Sequence, residues 1–173
     1  MKPHWEEILK DRLQLYGHRN WFVIADSAYP AQSKPGIETI VSEEDQATVL
    51  DKAFAILNEC KHIKPVIYTD KELSFVSEED ARGITTYREE LADLVEGYEV
   101  RSMQHEEIIA KLDAVGESFQ LLLIKTNMQI PYTSVFFELE CGYWNAQAED
   151  RLRAAMRSSG REAVLNVTEG VAR

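Results

Sequence analysis

Apolar residues recur at helical spacing at Trp5, Ile8, Leu9, Leu13 and Tyr16, and Gly17 follows. The pattern predicts an amphipathic first helix closed by a C-terminal glycine. Asn20 to Ala25 is a short continuous apolar run, which marks a strand buried on both faces. It ends at Asp26 and gives way to a loop, Ser27 to Gly36, that holds Pro30 and Pro35. Ile37 to Val41 reads as a short strand. Ser42-Glu43-Glu44-Asp45 then predicts a helix to about Cys60, with Ser42 as N-cap and acids in the first turn. Pro65 to Thr69 reads as a strand, and Ser77-Glu78-Glu79-Asp80 repeats the capping pattern for a long helix to about Val95. A strand at Tyr98 to Ser102, a short helix from His105 to about Leu112 and strands at Phe119 to Ile124 and Ser134 to Cys141 follow. The pattern closes with a helix over 145–158 and a loose tail.

Strands therefore alternate with helices, which predicts an α/β protein with helices on both faces of a sheet. At 173 residues the chain has the length of one domain. Its charge adds an asymmetry. The formal net charge is −11, from 19 basic and 30 acidic residues. Residues 145–173 are near neutral, so the acidity belongs to residues 1–144. Two regions are expected: a domain at 1–144 and a C-terminal helical extension and tail at 145–173. So acidic a chain lacks the basic patch that nucleic acid requires, and an anionic membrane surface would repel it. No apolar run approaches the roughly 20 residues of a membrane span. The acidic N-terminus is not a signal peptide, and two cysteines without a CxxC argue against a disulfide framework or a zinc site. A cytoplasmic setting is the expectation.

Candidate chemistry is sparse. There is no GxGxxG, P-loop, GxSxG or HExxH, so no nucleotide cofactor and no metal are expected. Asp26 stands at the carboxyl end of a buried strand, where ligands collect in open α/β sheets, although a turn residue would look the same. His18 lies between a helix end and that strand, a place that also suits a helix C-cap partner. His105 opens a short helix. Tyr132 precedes a strand, where its hydroxyl could bind ligand or cap the core. His4 and His62 read as structural or solvent-exposed.

Two motifs carry a resemblance. Gly17-His18, the apolar strand and then Asp26-Ser27-Ala28-Tyr29-Pro30-Ala31-Gln32-Ser33 resemble a signature of the D-ribose pyranase / L-fucose mutarotase family, nearer the fucose branch. Lys125-Thr126-Asn127-Met128, then Pro131-Tyr132-Thr133-Ser134 and Gly142, resemble the second signature. Order and spacing fit over about residues 3–144. The resemblance implies an RbsD-like, three-layer α/β/α fold with a mostly parallel sheet. It also implies an isomerase that interconverts anomers or ring forms of a free monosaccharide without a cofactor. A non-catalytic sugar-binding or regulatory module of the same fold is the alternative.

Carried over by residue, His18 aligns with the general acid/base, and His has a matching ordinary pKa of about 6.5. Asp26 aligns with the carboxylate that binds sugar hydroxyls, and His105 with a second histidine. Tyr132, Thr133 and Ser134 align with a sugar-binding stretch. The family further implies a homo-oligomer, often a decamer, in which neighbours complete each site. The chain departs from the pattern where Ser134 replaces Asn, Met128 replaces Glu and Lys125 replaces Arg. The sugar is left open, fucose-like or ribose-like.

Overall fold

The computed structural model describes residues 4–169, and side-chain surroundings through residue 160. The chain runs α1 (Trp5–Leu15), β1 (Trp21–Ala25), β2 (Ile37–Val41), α2 (Gln46–Glu59) and β3 (Ile63–Asp70). A 3-10 turn (Lys71–Ser74) leads to α3 (Ile84–Leu94), β4 (Val100–Met103), α4 (His105–Ser118), β5 (Leu121–Lys125), β6 (Val135–Cys141) and α5 (Ala146–Glu169). The strands form one sheet in the order β2-β5-β1-β6-β3-β4. β1 pairs parallel with β5, β5 with β2, and β3 with β4, whereas β6 runs antiparallel between β1 and β3. This is the expected α/β architecture with a mostly parallel sheet.

Burial follows from position in the sheet. Central β1 is buried at every residue, as its apolar run predicts, while edge strands β2 and β4 stay partly exposed. Alternate β1 side chains enter two cores. Phe22 and Ile24 pack with α1, α2 and α3; Trp21, Val23 and Ala25 pack with α4 and Tyr29. Phe22 stacks on Phe137 at 4.1 Å between centroids, and Trp21 on Tyr68 at 5.3 Å. Each such buried side chain contributes about 1.5–3 kcal/mol.

Several element boundaries differ from the expectation, each for a local reason. Tyr16 leaves α1 in extended conformation (φ −76°, ψ 144°), so no glycine cap forms at Gly17. The carbonyls of Leu13 and Tyr16 are instead held by His62 Nε2, at 3.0 and 3.1 Å. Asp45, not Ser42, caps α2 by accepting the Thr48 N–H at 3.0 Å; Ser42 donates to the Lys125 carbonyl, 3.1 Å away. Ser77 and Asp80 bond each other in a turn, and α3 starts only after Gly83, whose φ of 93° breaks the helical run. Glu78 then accepts the N–H groups of Gly83 (2.6 Å) and Thr85 (3.0 Å), satisfying orphan donors of α3. α4 runs on to Ser118, burying Leu112 and Gly116. α5 is capped by Asn145, which accepts the Ala148 N–H at 2.8 Å, and residues 150–160 are all exposed. α5 also extends well past residue 158, where the sequence pattern predicts a loose tail.

Two glycines allow close backbone approach. At Gly142 a Cβ would lie 2.6 Å from the Lys61 carbonyl oxygen, and at Gly36 it would collide with the carbonyl oxygens of Gly116 and Phe119. Neither obstacle is a flexible side chain, so Gly36→Ala must push β2 away from the end of α4. We expect it to cost about 2–3 kcal/mol, read as a lowered midpoint in chemical denaturation. A midpoint within error of wild type would show that the loop yields freely.

Candidate functional site

β1 and β3 both end at one rim of the sheet, and antiparallel β6 begins there between them. Val135 of β6 is in register with Ile24 of β1 and Thr69 of β3. Ser134, one residue earlier, therefore lies between Asp26 and Asp70, the two acids at the strand ends. After β1 the chain crosses to one edge of the sheet and then returns to β3 on the other side. The rim is thus the carboxyl end of a sheet at its topological switch, where α/β proteins bind ligands.

Asp26 is fixed from two sides. Its Oδ1 accepts the Ala28 N–H at 3.0 Å, and its Oδ2 accepts the Ser134 hydroxyl at 3.0 Å. The Asp26 N–H donates back to Ser134 Oγ at 3.2 Å. Asp26 thus has the turn role that its position allowed, with its second carboxylate oxygen turned to Ser134. Beside it, Asp70 is 1% exposed and its Oδ1 lies 3.0 Å from His105 Nδ1. Its second oxygen, Oδ2, is buried without a hydrogen-bond partner among the described residues. Burial pushes the Asp70 carboxyl up to about 6; the His105 hydrogen bond pulls it down, and Glu72 and Asp26 push it up. A perturbed acid paired with a histidine is a pattern of functional sites.

The second histidine is held just as firmly. His105 is the first residue of α4, and its N–H donates to both Glu72 carboxylate oxygens, at 3.2 and 3.1 Å. The Tyr132 ring meets the His105 ring edge-on, 5.5 Å between centroids. Tyr132 has a φ of 61°, an uncommon left-handed backbone for a bulky residue, and its side chain is exposed. An open groove of about 440 Å³ adjoins this cluster, lined by Lys71, Glu72, Phe75, Val76, Gln104 and Tyr132.

Beneath the rim lies a buried polar support. Gln46 Nε2 donates to the carbonyls of Ile24 (3.2 Å) and Thr133 (2.8 Å), and its Oε1 accepts the Thr126 hydroxyl at 2.6 Å. Tyr87 also donates to the Thr133 carbonyl, at 2.5 Å. These bonds tie the loop before β6 to the ends of β1 and β5.

Of the residues that the sequence singles out, Asp26, His105, Tyr132 and Ser134 meet at this rim. Thr133 is fully buried, and its hydroxyl donates to the Ile130 carbonyl at 2.8 Å, so it shapes the loop. His18 is exposed at the opposite end of β1, before the strand starts. The five residues of β1 separate the two ends by roughly 13 Å, beyond any hydrogen bond. His18 borders a second groove of about 800 Å³, with Arg19, His62, Lys64, Trp144 and Arg153. Arg19 is another left-handed residue, with φ 77°. Sequence reasoning misses Asp70 and Glu72. Asp70 nevertheless carries the same signal as Asp26, an acid directly after an apolar strand.

One further cluster has metal-ligand chemistry: His4, Glu6 and Glu44 bring ligand atoms within 4.8 Å of one another. Lys52 Nζ already sits 2.9 Å from Glu6 and 2.7 Å from Glu44, so a cation is in place there. Among the described residues no helix is long and apolar enough to cross a membrane.

No protein-family model matches the chain, and no curated protein does. Solved structures do. Bacillus subtilis RbsD, complexed with D-ribose, superposes with a TM-score of 0.55 at 20% identity, covering 84% of this chain and 100% of its own. FucU from Bifidobacterium longum gives 0.54 at 14% identity, covering 78% and 92%. The fucose mutarotase of Streptococcus pneumoniae, in complex with L-fucose, gives 0.50 at 18% identity, covering 78% and 91%. With its mixed six-stranded sheet and flanking helices, the chain has the RbsD/FucU-like fold.

Proposed function

We propose that this protein is a monosaccharide mutarotase or pyranase that works by general acid/base catalysis. The observation that carries the reading is the Asp70–His105 pair beside Asp26 and Tyr132, at the carboxyl rim of the sheet. The likeness to RbsD with ribose and to a mutarotase with fucose supports it.

The reaction moves protons only. A base takes the anomeric hydroxyl proton while an acid protonates the ring oxygen; the bond from C1 to that oxygen breaks and C1 becomes the aldehyde carbon. Reclosure on the other face, or through another hydroxyl, reverses the transfers. Ionised Asp70 would accept the His105 Nδ1–H and leave Nε2 to take a proton. Asp26, Tyr132 and Ser134 would hold the polyol.

His18 keeps its proposed role as acid/base only across an interface. The His18 end of one copy would face the Asp26 end of a neighbouring copy, giving a homo-oligomer, such as a decamer, whose sites are shared between subunits. This arrangement is heterologous, so it closes into a ring if the rotation permits.

Saturation-transfer NMR on fucose, ribose and galactose tests the proposal. Anomeric exchange above the spontaneous rate is expected for at least one sugar. Saturable binding without exchange would leave a non-catalytic sugar-binding module, and neither would refute both readings.

A further inference from the structure

The C-terminal extension reaches the His18 groove. Trp144 stands just before α5, and Glu149 and Arg153 lie on its first turns; all three line that groove with His18. The indole is braced: its Nε1 donates to Glu149 Oε2 at 2.8 Å, and Glu149 Oε1 accepts from Arg153 Nε at 2.6 Å. The ring remains 45% exposed, an unusual state for tryptophan, and neighbouring Tyr143 is 78% exposed. An amphipathic aromatic held by a hydrogen bond beside an open groove is built to receive something flat and partly apolar. A monosaccharide ring is such an object, with an apolar C–H face and polar edges.

We propose that Trp144 is the stacking platform for the apolar face of a monosaccharide ring bound at His18. Glu149 and Arg153 then act as positioning residues that fix the indole, so the extension is part of the binding site. The inference rests on the reading that His18 faces sugar. His18 and Arg19, which line the same groove, would supply polar donors for the ring hydroxyls.

The test uses the full chain and its own fluorescence. Trp5 and Trp21 are 3% and 1% exposed, so Trp144 is the tryptophan a solute can reach. L-fucose, D-ribose or D-galactose should quench or shift the emission saturably, and Trp144→Phe should abolish that response. In exchange kinetics, Trp144→Ala should raise KM about 10-fold with kcat changed less than about 3-fold, and Trp144→Phe should restore most of the KM. Circular dichroism melting should be unaltered in both variants, because the side chain is exposed. Four results decide the matter. Exchange together with saturable quenching and the KM effect supports the inference. Exchange without quenching, or with an unchanged KM in Trp144→Ala, overturns it and leaves the enzyme reading standing. Saturable quenching without exchange supports the platform and overturns the catalytic reading. Neither signal overturns both.

Discussion

His18→Ala will lower anomeric exchange by about 10²–10⁴-fold, the usual loss when an acid/base group is removed, and Asp26→Asn, which alters the carboxylate that would hold the polyol, will lower it as well. Co-expressed in equal amounts, the two inactive variants will recover about a quarter of the wild-type rate, because random assembly leaves that share of interfaces intact. The reason is geometric. His18 and Asp26 flank the same strand, yet the five residues of β1 hold them at opposite ends of the sheet. One chain cannot close a site around a single sugar with both. Two chains stacked end to end can, with one contributing His18 and the other Asp26, Asp70 and His105. Exchange kinetics on the mixture, with subunit exchange verified by mass spectrometry, gives the answer. A mixture as dead as its components would refute the shared site. An Asp26→Asn protein as active as wild type would remove Asp26 from the chemistry.

Asp70→Asn will lower exchange about 10²-fold or more and change the acid limb of its pH profile. Burial raises the Asp70 carboxyl to about 6. Below that pH the group is protonated and can donate to Nδ1 as well as accept from it, so it no longer fixes the His105 tautomer. Wild-type exchange should therefore climb as the pH rises through about 6, whereas in Asp70→Asn any climb left in that range belongs to the histidines alone. Stability runs the opposite way. The folded carboxyl holds its proton more tightly than the unfolded one, so its contribution is fully present below the ordinary value near 4 and is lost as the pH rises through about 6. Across that window the wild type should lose roughly 2–3 kcal/mol relative to Asp70→Asn, because a tenfold difference in proton affinity between the folded and unfolded chain is worth about 1.4 kcal/mol. Guanidinium unfolding at fixed chain concentration, at pH 4 and pH 7, measures this difference. Equal losses in both proteins would mean that the buried oxygen is solvated and that Asp70 is an ordinary surface acid. Glu72, which holds the His105 backbone, anchors the same histidine from outside and is unaltered in this comparison.

Local chemistry in the sequence is enough to place β1, since a run of five buried residues has no alternation to misread. It is enough to find Asp26 at the end of that run and to expect helices alternating with strands. It falls short at caps: the acids of 42–45 and 77–80 offer several equivalent N-caps, and the choice of Asp45 or Gly83 depends on the backbone path. It falls short again at Asp70, which closes an apolar run much as Asp26 does but lies in no stretch resembling a known signature.

Short-range periodicity and motif are enough for the set of elements, their order, the acid-rich body and the candidates Asp26, His105, Tyr132 and Ser134. The backward run of β6 between β1 and β3 is a matter of long-range packing alone. That register, set by β6 pairing with strands about 110 and about 65 residues earlier in the chain, brings Ser134 onto Asp26 and leaves Asp70 buried against His105. It also places His18 at the far end of β1 and Trp144 beside it. Side chains that meet through sheet pairing share no local pattern, since hydrogen-bonded register joins residues without regard to their separation in sequence.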